Sequence, residues 1–474
     1  MAKPTGFIEF PRKDPSKRPI DARVGDYAEI EQMLPIDQLT TQAARCMDCG
    51  IPSCHAYGCP VHNLIPDWND MIYKGQWRQA LELLHSTNNL PEVTGRVCPA
   101  PCEPACTLSL NLPAVTIRHI ELQIVERGWR EGWIKPEPAA QKTGKKVAII
   151  GSGPSGLACA QQLARAGHAV TVYEKADKIG GILRYGIPDF KLEKWVIDRR
   201  LEQMRAEGVS FETGVYIGQD LSARFLQQHF DAIVITSGAG IPRALNVPGR
   251  DLAGIDYAMP FLTQQNRRNA REPIHAEEIL AAGKDVLVIG GGDTGSDCVG
   301  TSRRQGAKSI TQIELLPKPP VERTPDNPWP TWPQTLRTST SHEEGCTRMW
   351  SIATKEFLGA QGHVKEARCV KLEWSGPDAA GRRNFTEIPG SAFTIPVGLV
   401  LLSMGFVHLE HGRLVTDLEL KTDPRGNLVV DADFMTNHPG VFAAGDSAKG
   451  ASLIVHAINL GRQAAAGVDQ YLMK

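Results

Sequence analysis

The pattern of hydrophobic positions changes near residue 145, from helical spacing to short apolar runs that end in glycine. Before that point, Trp77, Leu81 and Leu84 recur at helical spacing and are followed by the stop signal NNLP. The segment EGWIKPEPAAQKTG carries no periodicity and is rich in Pro, Lys and Ala, which is typical of a linker. We therefore predict a small all-α module over residues 1–144.

Two apolar runs that end in glycine predict two α/β units after the linker. KKVAII precedes the first glycine turn, and KDVLVIGGG opens a second unit roughly 140 residues later. A chain of 474 residues is long enough for two or three separately cored units. The predicted fold class is therefore α/β, with two Rossmann-like dinucleotide-binding domains behind the helical module.

Charge and composition narrow the classes of partner. Lys and Arg total 52 against 53 Asp and Glu, a formal net charge of −1, so no long-range field attracts a nucleic acid. The N-terminus lacks the apolar core of a signal peptide, and no uncharged apolar run reaches about 18 residues. We expect a cytoplasmic protein that binds neither nucleic acid nor membrane. In that reducing compartment, eleven cysteines indicate metal binding or catalysis rather than disulfides.

Seven of the eleven cysteines form two short arrays in the helical module. CMDCGIPSCHAYGCP has the spacing C-x2-C-x4-C-x4-C, and CPAPCEPAC has the spacing C-x3-C-x3-C. Short loops with Gly and Pro allow thiolates and backbone amides to converge on a four-iron cube. Zinc is the alternative, but structural zinc sites usually pair two close C-x2-C knuckles, and seven ligands fit one zinc badly. The arrays therefore predict two 4Fe-4S clusters, and an oxygen ligand is needed to complete eight positions.

The first glycine turn predicts a dinucleotide site. In KKVAIIGSGPSGLACAQQLARAGHAVTVYEK, Gly151 permits the tight turn, Gly153 admits a pyrophosphate, and Gly156 lets helix and strand pack closely. The N-terminus of the following helix places partial positive charge at the phosphates. Glu174, 23 residues after Gly151, stands where a carboxylate accepts hydrogen bonds from ribose hydroxyls.

The second glycine turn predicts a second dinucleotide site, and its residues are compatible with either NADH or NADPH. Its glycine places are Gly290, Gly292 and Gly295. Glu314 follows 24 residues after Gly290, which by the ribose rule favours NADH. Nearby cations could instead bind the 2′-phosphate of NADPH, namely Arg303, Arg304, Lys318 and Arg323.

The cysteine arrays resemble the α-helical, ferredoxin-like cluster domain that the small subunit of bacterial glutamate synthase shares with dihydropyrimidine dehydrogenase. The resemblance implies one cluster on Cys46, Cys49, Cys54 and Cys106 and another on Cys59, Cys98 and Cys102. The eighth ligand of the family is a side chain about fifteen residues beyond the last cysteine, where this chain has Glu121. Gln123 lies close by and could serve instead.

Two further segments identify the first dinucleotide as FAD by resemblance. KIGGILRYGIP resembles the loop beside the flavin in glutathione-reductase-like enzymes with two dinucleotide folds, and HPGVFAAGDSAKGASLIVHAINLGRQAAAG resembles their second FAD fingerprint. There Asp446 would accept a hydrogen bond from a ribityl hydroxyl, and a helix beginning near Ser452 would point its N-terminus at the flavin. The residues implied for FAD are Gly151, Gly153, Pro154, Ser155, Gly156, Glu174, Lys175, Gly181, Ile182, Leu183, Gly445, Asp446 and Leu453.

The second dinucleotide unit lies between the two FAD segments, as the pyridine-nucleotide domain does in that class of reductase. The similarity of ELLPKPPVER to the family favours NADPH, with Arg323 and then Lys318 at the 2′-phosphate. The residues implied for NADPH are Gly290, Gly291, Gly292, Asp293, Thr294, Gly295, Lys318 and Arg323.

The resemblance to the glutamate synthase small subunit covers essentially the whole chain and includes NPWPTWPQTLRTSTSHEEGCTRMW. It implies an iron–sulfur domain (1–144), an FAD domain in two parts (145–255 and 406–474) and an NADPH domain between them (256–405). The implied enzyme oxidises NADPH through FAD and passes electrons through the clusters to a large subunit that carries FMN and makes glutamate from glutamine and 2-oxoglutarate. The alternative is a stand-alone NADPH oxidoreductase that feeds ferredoxin or a pyrimidine-reducing partner.

No cysteine pair stands beside the expected flavin, unlike in disulfide reductases built on these folds, so we assign no catalytic side chain. Cys159 and Cys298 lie in the helices after the glycine turns, where small packed thiols are expected. The clusters are then the predicted route by which electrons leave the flavin.

Overall fold

The computed structural model describes residues 3–376 and 383–474. The N-terminal module is helical, with a π-helical turn at Cys54–Gly58 and a 3-10 turn at Thr107–Leu110. In the helix Trp77–Thr87, Trp77, Leu81 and Leu84 are buried on one side, which confirms the predicted helical spacing. The helices of the module are α1 (Gly6–Glu9), α2 (Ile20–Arg23), α3 (Ile36–Ala43), α4 (Ile65–Tyr73), α5 (Trp77–Thr87), α6 (Pro91–Val97) and α7 (Ile117–Arg130).

A five-stranded parallel sheet follows the module and receives its last strand from the end of the chain. Its strands are β1 (Lys146–Ile150), β2 (Ala169–Glu174), β3 (Val209–Thr213), β4 (Ala232–Ile235) and β14 (Val441–Ala443), in the order β14-β4-β1-β2-β3. The central strands are almost wholly buried, as expected for a parallel sheet covered by helices on both faces. Its helices are α8 (Pro154–Arg165), α9 (Ile182–Tyr185), α10 (Lys194–Ala206), α11 (Ala223–His229), α15 (Arg413–Asp417), α16 (Asp446–Lys449) and α17 (Ile454–Leu472). Among the helices in the described ranges, none is both long and apolar enough to cross a membrane.

A second parallel sheet is inserted between β4 and β14, and the two sheets together confirm the predicted fold class. Its strands are β5 (Ile255–Tyr257), β6 (Asp285–Ile289), β7 (Ser309–Glu314), β8 (Thr347–Trp350) and β13 (Leu399–Leu402), in the order β5-β13-β6-β7-β8. Its helices are α12 (Ala258–Asn269), α13 (Asp293–Arg304) and α14 (Thr340–Glu343). An antiparallel sheet that the sequence pattern does not predict follows β8 and is made of β9 (Ile352–Ala360), β10 (His363–Trp374), β11 (Phe385–Glu387) and β12 (Phe393–Pro396).

The inserted unit is joined to the first sheet by two chain crossings that pair with each other. The N–H of Ile241 donates to the carbonyl of His408 at 3.1 Å, and the N–H of Arg243 donates to the carbonyl of Gly405 at 2.9 Å. We call these two crossings, residues 240–243 and 405–408, the interdomain connection.

Residues 16–32 of the N-terminal module form an arm that folds back on itself. The N–H of Gln32 donates to the carbonyl of Ser16 at 2.8 Å, and the N–H of Arg18 donates to the carbonyl of Ile30 at 3.0 Å. The short helix α2 lies at the tip of the arm. We refer to residues 16–32 as the N-terminal arm.

The helical module and the first sheet share one hydrophobic core, which differs from the separately cored units expected from length. The largest buried cluster runs from Leu39 and Trp68 in the module to Val147, Leu201 and Phe442 around the first sheet. Length alone predicts several cores because it cannot show which faces meet. The iron–sulfur module is therefore packed onto this sheet as part of the same body.

A buried ion pair inside this shared core joins the helical module to a helix of the first sheet. Arg200 of α10 donates from Nε and Nη2 to the two carboxylate oxygens of Glu92 in α6, each at 2.7 Å. Both side chains are almost fully buried, at 2% and 0% exposure. A buried charge is stable only while its partner is in place, so this pair couples the folding of the two regions.

Arg200→Met is expected to lower the free energy of unfolding by about 3–5 kcal/mol, because it leaves the Glu92 carboxylate buried without its partner. Urea titrations of the anaerobically purified protein would follow flavin release and iron release together. The midpoints of both release curves should move to lower urea concentration. Arg205→Met on the same helix is the control, since Arg205 is exposed and lies 5.2 Å from the ring of Phe211, a contact that contributes about 1 kcal/mol or less. Iron release that shifts while flavin release stays in place would contradict the shared core.

Candidate functional site

The first glycine turn, between β1 and α8, leaves open space in front of one glycine. Gly151 has a φ of +102°, and a Cβ atom there would lie 2.5 Å from the carbonyl oxygen of Thr236. A Cβ atom at Gly156 would lie 2.1 Å from the carbonyl oxygen of Gly151. At Gly153, by contrast, a Cβ atom would meet nothing within 4 Å. The outer two glycines therefore serve packing, and the middle one faces a space that a pyrophosphate can enter.

The acid at the end of β2 is held against this turn. The Glu174 carboxylate accepts hydrogen bonds from the N–H of Ser152 at 3.1 Å, from the Ser152 hydroxyl at 2.5 Å and from the N–H of Ala176 at 2.9 Å. These bonds fix the carboxylate at the carboxyl end of the strand, where an adenosine ribose is recognised in this fold. The neighbouring Lys175 has another partner, because its ammonium lies 3.2 Å from the carboxylate of Glu410.

The C-terminal segment closes over the first turn of α8. A Cβ atom at Gly461 of α17 would lie 2.2 Å from the carbonyl oxygen of Ser155, and one at Gly445 would lie 2.7 Å from the Cβ atom of Ser155. The hydroxyl of Ser155 is buried and has no hydrogen-bond partner in the described structure. Such an orphaned donor beside an open glycine turn fits a phosphate ligand. Pro154 begins α8 here, where its missing N–H is not needed.

The remaining residues expected at FAD lie beside the same turn. Gly181 has a φ of +52°, and a Cβ atom there would lie 3.1 Å from the Cα atom of Gly153. The Asp446 carboxylate accepts a hydrogen bond from the Ser452 hydroxyl at 2.8 Å, and burial raises the pKa of this carboxyl group. Helix α17 begins at Ile454 after the cap residue Leu453, two residues later than the start expected near Ser452. Leu183 is buried in the core and Ile182 is exposed.

The second glycine turn, between β6 and α13, reproduces the geometry of the first. Gly290 has a φ of +122°, and a Cβ atom there would lie 2.3 Å from the carbonyl oxygen of Ser403. A Cβ atom at Gly295 would lie 2.3 Å from the carbonyl oxygen of Gly290, whereas one at Gly292 would meet nothing within 4 Å. Thr294, in the first turn of α13, lines a cavity together with Gly240 and Pro242 of the interdomain connection.

The acid at the end of β7 lies against the second turn with fewer partners than its counterpart. A Cβ atom at Gly291 would lie 2.3 Å from a carboxylate oxygen of Glu314. The other oxygen accepts a hydrogen bond from the N–H of Leu316 at 3.4 Å. Glu314 therefore retains acceptor capacity for a ribose hydroxyl, whereas Glu174 accepts three short hydrogen bonds from the protein. Asp293 is exposed at the start of α13 beside this turn.

The cations expected at a 2′-phosphate have diverse surroundings. Arg323 donates to the carbonyl of Pro104 in the iron–sulfur module and to the carbonyl of Asn327, both at 3.3 Å. Lys318 lies over the ring of Trp350, with Nζ 5.3 Å from the centroid. Arg304 is wrong as a candidate, because its inaccessible side chain is paired with a carboxylate within the fold. The sequence places these residues near β7 but cannot show which of them are already engaged.

The cysteine side chains separate into two groups that interleave along the chain. Burial raises the pKa of the Cys54 thiol, and the nearby charges of Cys106, Cys46 and Cys49 raise it further. Burial also raises the pKa of the Cys102 thiol far above its usual value, and the nearby charges of Cys59, Cys98 and Glu121 raise it further. We call Cys46, Cys49, Cys54 and Cys106 the first cysteine group, and Cys59, Cys98 and Cys102 the second cysteine group.

Three residues that closely follow a cysteine adopt left-handed backbone conformations. Asp48, His62 and Ala100 have φ values of 52°, 52° and 57°. The N–H of Ala100 donates to the sulfur of Cys98 at 3.4 Å. Burial raises the pKa of the Cys46 thiol to about 12, and a hydrogen bond from the N–H of Asp48 opposes that rise. Strained turns that direct amides at sulfur fit thiolate ligands of a cluster, and the sequence has no glycine at these three positions that would reveal them.

Glu121 lies with the second cysteine group, and Gln123 does not. Glu121 lines a narrow cavity together with Cys59, Cys98 and Cys102. Burial raises the pKa of its carboxyl group to about 7, opposed by hydrogen bonds from Thr94 and Asn88 and by the charge of Arg118. The Gln123 amide donates instead to the carbonyl of Leu34 at 3.0 Å. Two residues apart on α7 is about 200° of rotation, so the two side chains leave opposite sides of the helix.

The donor chemistry fits iron–sulfur clusters. In residues 3–376 and 383–474, no set of three or more His, Cys, Asp or Glu side chains is arranged to hold a single metal ion. A four-iron cube takes its ligands at separate corners, so its ligand set is wider than that of one ion. The two cysteine groups, with backbone amides directed at their sulfur atoms, fit such cubes. Cys159 and Cys298 lie apart from both groups and are fully buried in α8 and α13.

Comparisons with known proteins show the families to which the two parts of the chain are similar. Residues 145–461 match the family model for pyridine nucleotide-disulphide oxidoreductases, and residues 23–133 match the model for dihydropyrimidine dehydrogenase domain II, 4Fe-4S cluster. FprA of Mycobacterium tuberculosis, solved in complex with NADPH, has the same fold over 70% of this chain and 85% of its own, with a TM-score of 0.56 and 19% identity. The chain is thus a flavoprotein oxidoreductase of the pyridine-nucleotide class with an attached 4Fe-4S domain.

Full-length relatives identify the family within this class. The glutamate synthase [NADPH] small chain of Mycobacterium tuberculosis is 50% identical, over 100% of this chain and 96% of the relative. The glutamate synthase [NADH] of Schizosaccharomyces pombe is 45% identical over 99% of this chain, which corresponds to 23% of that protein. The chain belongs to the family of glutamate synthase small chains.

Gly153→Ala is expected to weaken FAD retention by about tenfold or more, or at least about 1.4 kcal/mol, because the added methyl group occupies the space in front of the turn. It should not strain the protein itself, since no atom lies within 4 Å of the new methyl position. Gly292→Ala is the matched control and should retain FAD while raising KM for NADPH. Flavin content after gel filtration and steady-state NADPH oxidation would be measured for both. Flavin loss in Gly292→Ala would reverse the assignment of the two turns.

Glu121→Ala is expected to make one cluster labile, so that about half of the iron is lost during anaerobic gel filtration. Gln123→Ala is the matched control from the same helix and should keep all of its iron, because its amide bonds to Leu34 instead. Iron and sulfide per flavin would be measured for both variants. Equal iron retention in the two variants would remove Glu121 from the ligand set.

Proposed function

We propose that the chain is the electron-input subunit of a glutamate synthase, which oxidises NADPH and delivers electrons through its iron–sulfur module to a large subunit. The observation that carries the proposal is the contact between that module and the first sheet's C-terminal helix. Val455, in the first turn of α17, lines the same cavity as Cys59, Cys98 and Glu121. In this proposal FAD binds on the other side of the N-terminus of α17 from the second cysteine group.

The domain assignment keeps the expected order, with residues 1–144 holding two 4Fe-4S clusters, residues 145–255 and 406–474 assigned to FAD, and residues 256–405 assigned to NADPH. The first FAD–NADPH boundary moves from residue 255 to the crossing at 240–243, because Ile255 pairs with Val400 in the second sheet. FAD held there would supply the conversion from a two-electron nicotinamide donor to one-electron clusters. The open spaces at Gly153 and Gly292 support one dinucleotide on each sheet.

The coenzyme of the second sheet is NADPH in this proposal. The name of the Mycobacterium tuberculosis relative supports NADPH, and Lys318 near β7 supplies positive charge for a 2′-phosphate. Glu314 against Gly291 is the feature that favours an unphosphorylated ribose, as in the NADH-named relative from Schizosaccharomyces pombe. Steady-state rates with both coenzymes would decide the preference.

The cluster ligands divide as the two cysteine groups do. The first cysteine group supplies four thiolates, and the second supplies three thiolates and the Glu121 carboxylate. Metal binding would offset the charge of these buried groups, whose pKa values are mostly raised by burial. The eleven free cysteines fit a reducing compartment, and we place the protein in the cytoplasm.

The partner in this proposal is a large subunit that carries FMN, and it docks beside the first cysteine group. Three large apolar side chains are exposed there, with Ile51 at 85%, Tyr57 at 58% and Leu110 at 52%. Each follows a ligand of the first cysteine group within a few residues, and Cys49 itself is only partly buried. Exposed apolar side chains around a redox site are typical of the core of a protein interface.

The isolated chain is expected to oxidise NADPH with artificial electron acceptors but to make no glutamate from glutamine and 2-oxoglutarate, because the fold contains the two dinucleotide units and the cluster module. Adding the purified large subunit should restore NADPH-dependent glutamate synthesis. Both rates would be measured on the same anaerobic preparation. Glutamate synthesis by the chain alone would overturn the proposal, and activity with ferredoxin but with no large subunit would favour the stand-alone oxidoreductase.

A further inference from the structure

We call the inserted unit with the second sheet the NADPH-side unit, and the first sheet with its helices the FAD side. The interdomain connection alone joins the NADPH-side unit covalently to the rest of the protein. That connection is two paired segments of four residues each, held by hydrogen bonds such as that from the N–H of Val407 to the carbonyl of Ile241 at 2.8 Å. Units joined so narrowly move relative to each other unless another interface holds them. Helices α12 and α13 also contact the FAD side directly, since Asn266 donates to the carbonyl of Ile187 at 2.9 Å and Asp297 pairs with Lys191. The N-terminal arm adds a separate attachment on this unit.

The tip of the arm places a buried charge on the NADPH-side unit. Nε of Arg23 lies 2.8 Å from a carboxylate oxygen of Glu344, and Nη2 donates to the carbonyl of Thr340 at 3.0 Å. The side chains of Arg23 and Glu344 are 2% and 0% exposed. At the edge of this contact, Nζ of Lys17 lies 2.7 Å from the carboxylate of Glu343. Both glutamates belong to the HEEGC motif, to which the dinucleotide geometry gives no other role.

The same carboxylate ties the arm to α13, the helix that follows the second glycine turn. Arg304 of α13 donates to both oxygens of Glu344, at 2.6 and 3.0 Å, and from Nε to the carbonyl of Asp26 in the arm at 3.0 Å. Its guanidinium also lies 3.9 Å from the ring centroid of Phe190, which belongs to the FAD side. Helix α13 is therefore held between the arm and the first sheet.

The base of the arm is anchored to the iron–sulfur module and the FAD side. Arg118 of α7 donates to both oxygens of Glu31, at 2.8 and 2.7 Å, and Arg96 of α6 donates to Glu29 at 2.6 Å. The N–H of Glu193, just before α10, donates to the same Glu29 carboxylate at 3.2 Å. Ion pairs thus fix the arm at both ends, its base to α6 and α7 and its tip to Glu344, which also pairs with Arg304 of α13.

We propose that the N-terminal arm is a clasp that fixes the NADPH-side unit against the FAD side, and that Arg23 is its positioning residue. The inference rests on the proposed function, because the orientation of the two dinucleotide sites matters only if electrons pass between them. Arg23 touches neither glycine turn, so it acts through Glu344 and Arg304 on the placement of α13. Small misplacements of reacting groups by distant residues slow reactions about 10²-fold without removing a contact to the substrate.

The test is Arg23→Met in the anaerobically purified holoprotein. The limiting rate of flavin reduction at saturating NADPH should fall about 10- to 100-fold, while the NADPH concentration at half-saturation changes less than about twofold. Hydrogen exchange of the backbone amides in the interdomain connection should become faster, which reports domain motion independently of activity. Arg23→Lys keeps the charge and should restore part of the rate.

Arg18→Met is the matched control, because Arg18 pairs with Asp26 inside the arm and, among the described residues, has no hydrogen bond or ion pair to the NADPH-side unit. Glu343→Gln is the milder second variant, since Glu343 is partly exposed and its loss weakens the contacts to Lys17 and Arg23 while the fold stays intact. It should shift rate and exchange in the same direction by a smaller factor.

Wild-type rate and wild-type exchange in both Arg23→Met and Glu343→Gln would overturn the clasp. A rise in the half-saturating NADPH concentration with an unchanged limiting rate would also overturn it, because that result assigns Arg23 to coenzyme binding. If the wild-type protein fails to reduce its flavin with either NADPH or NADH, the proposed function fails instead.

Discussion

The packing of the iron–sulfur module onto the FAD-side sheet is the constraint on which the rest of the structure depends. Electron carriers work in series only when their separations are fixed, and here one hydrophobic core runs through both regions. The buried pair of Arg200 and Glu92 crosses the same boundary. The position of Val455 depends on that packing. A helix of the FAD side can line the cavity of the second cysteine group only while the two regions stay in contact.

Two copies of one backbone device serve two different ligands. At both glycine turns the outer glycines are required, because a Cβ atom there would lie only 2.1 to 2.5 Å from a backbone oxygen, and the middle glycine faces open space. The acids at the strand ends differ in their surroundings. Glu174 accepts three hydrogen bonds from the protein, whereas Glu314 accepts one long one. The second site therefore leaves more of its recognition to the ligand, as suits a coenzyme that must bind and leave.

Buried charge is used to hold separate regions in register. Glu344 lies between Arg23 of the N-terminal arm and Arg304 of α13, and none of the three side chains is appreciably exposed. Such an arrangement costs desolvation energy that only well-placed partners offset, so it penalises alternative arrangements of the units more than a surface ion pair would. In the proposed clusters the buried thiolates would likewise need the positive charge of the metal core as a partner.

The sequence by itself determined the local chemistry of this protein, and tertiary structure decided what depends on residues far apart. Glycine spacing, terminal acids and cysteine arrays predict two dinucleotide turns and two clusters, because each depends on residues close together in the chain. The fold separated Glu121 from Gln123 by helix rotation, engaged Arg304, and turned Arg323 towards Pro104. It also merged two expected cores into one and placed the N-terminal arm on α13. The physical reason is that burial and ion pairing are set by which surfaces meet, and local spacing carries no record of those long-range contacts.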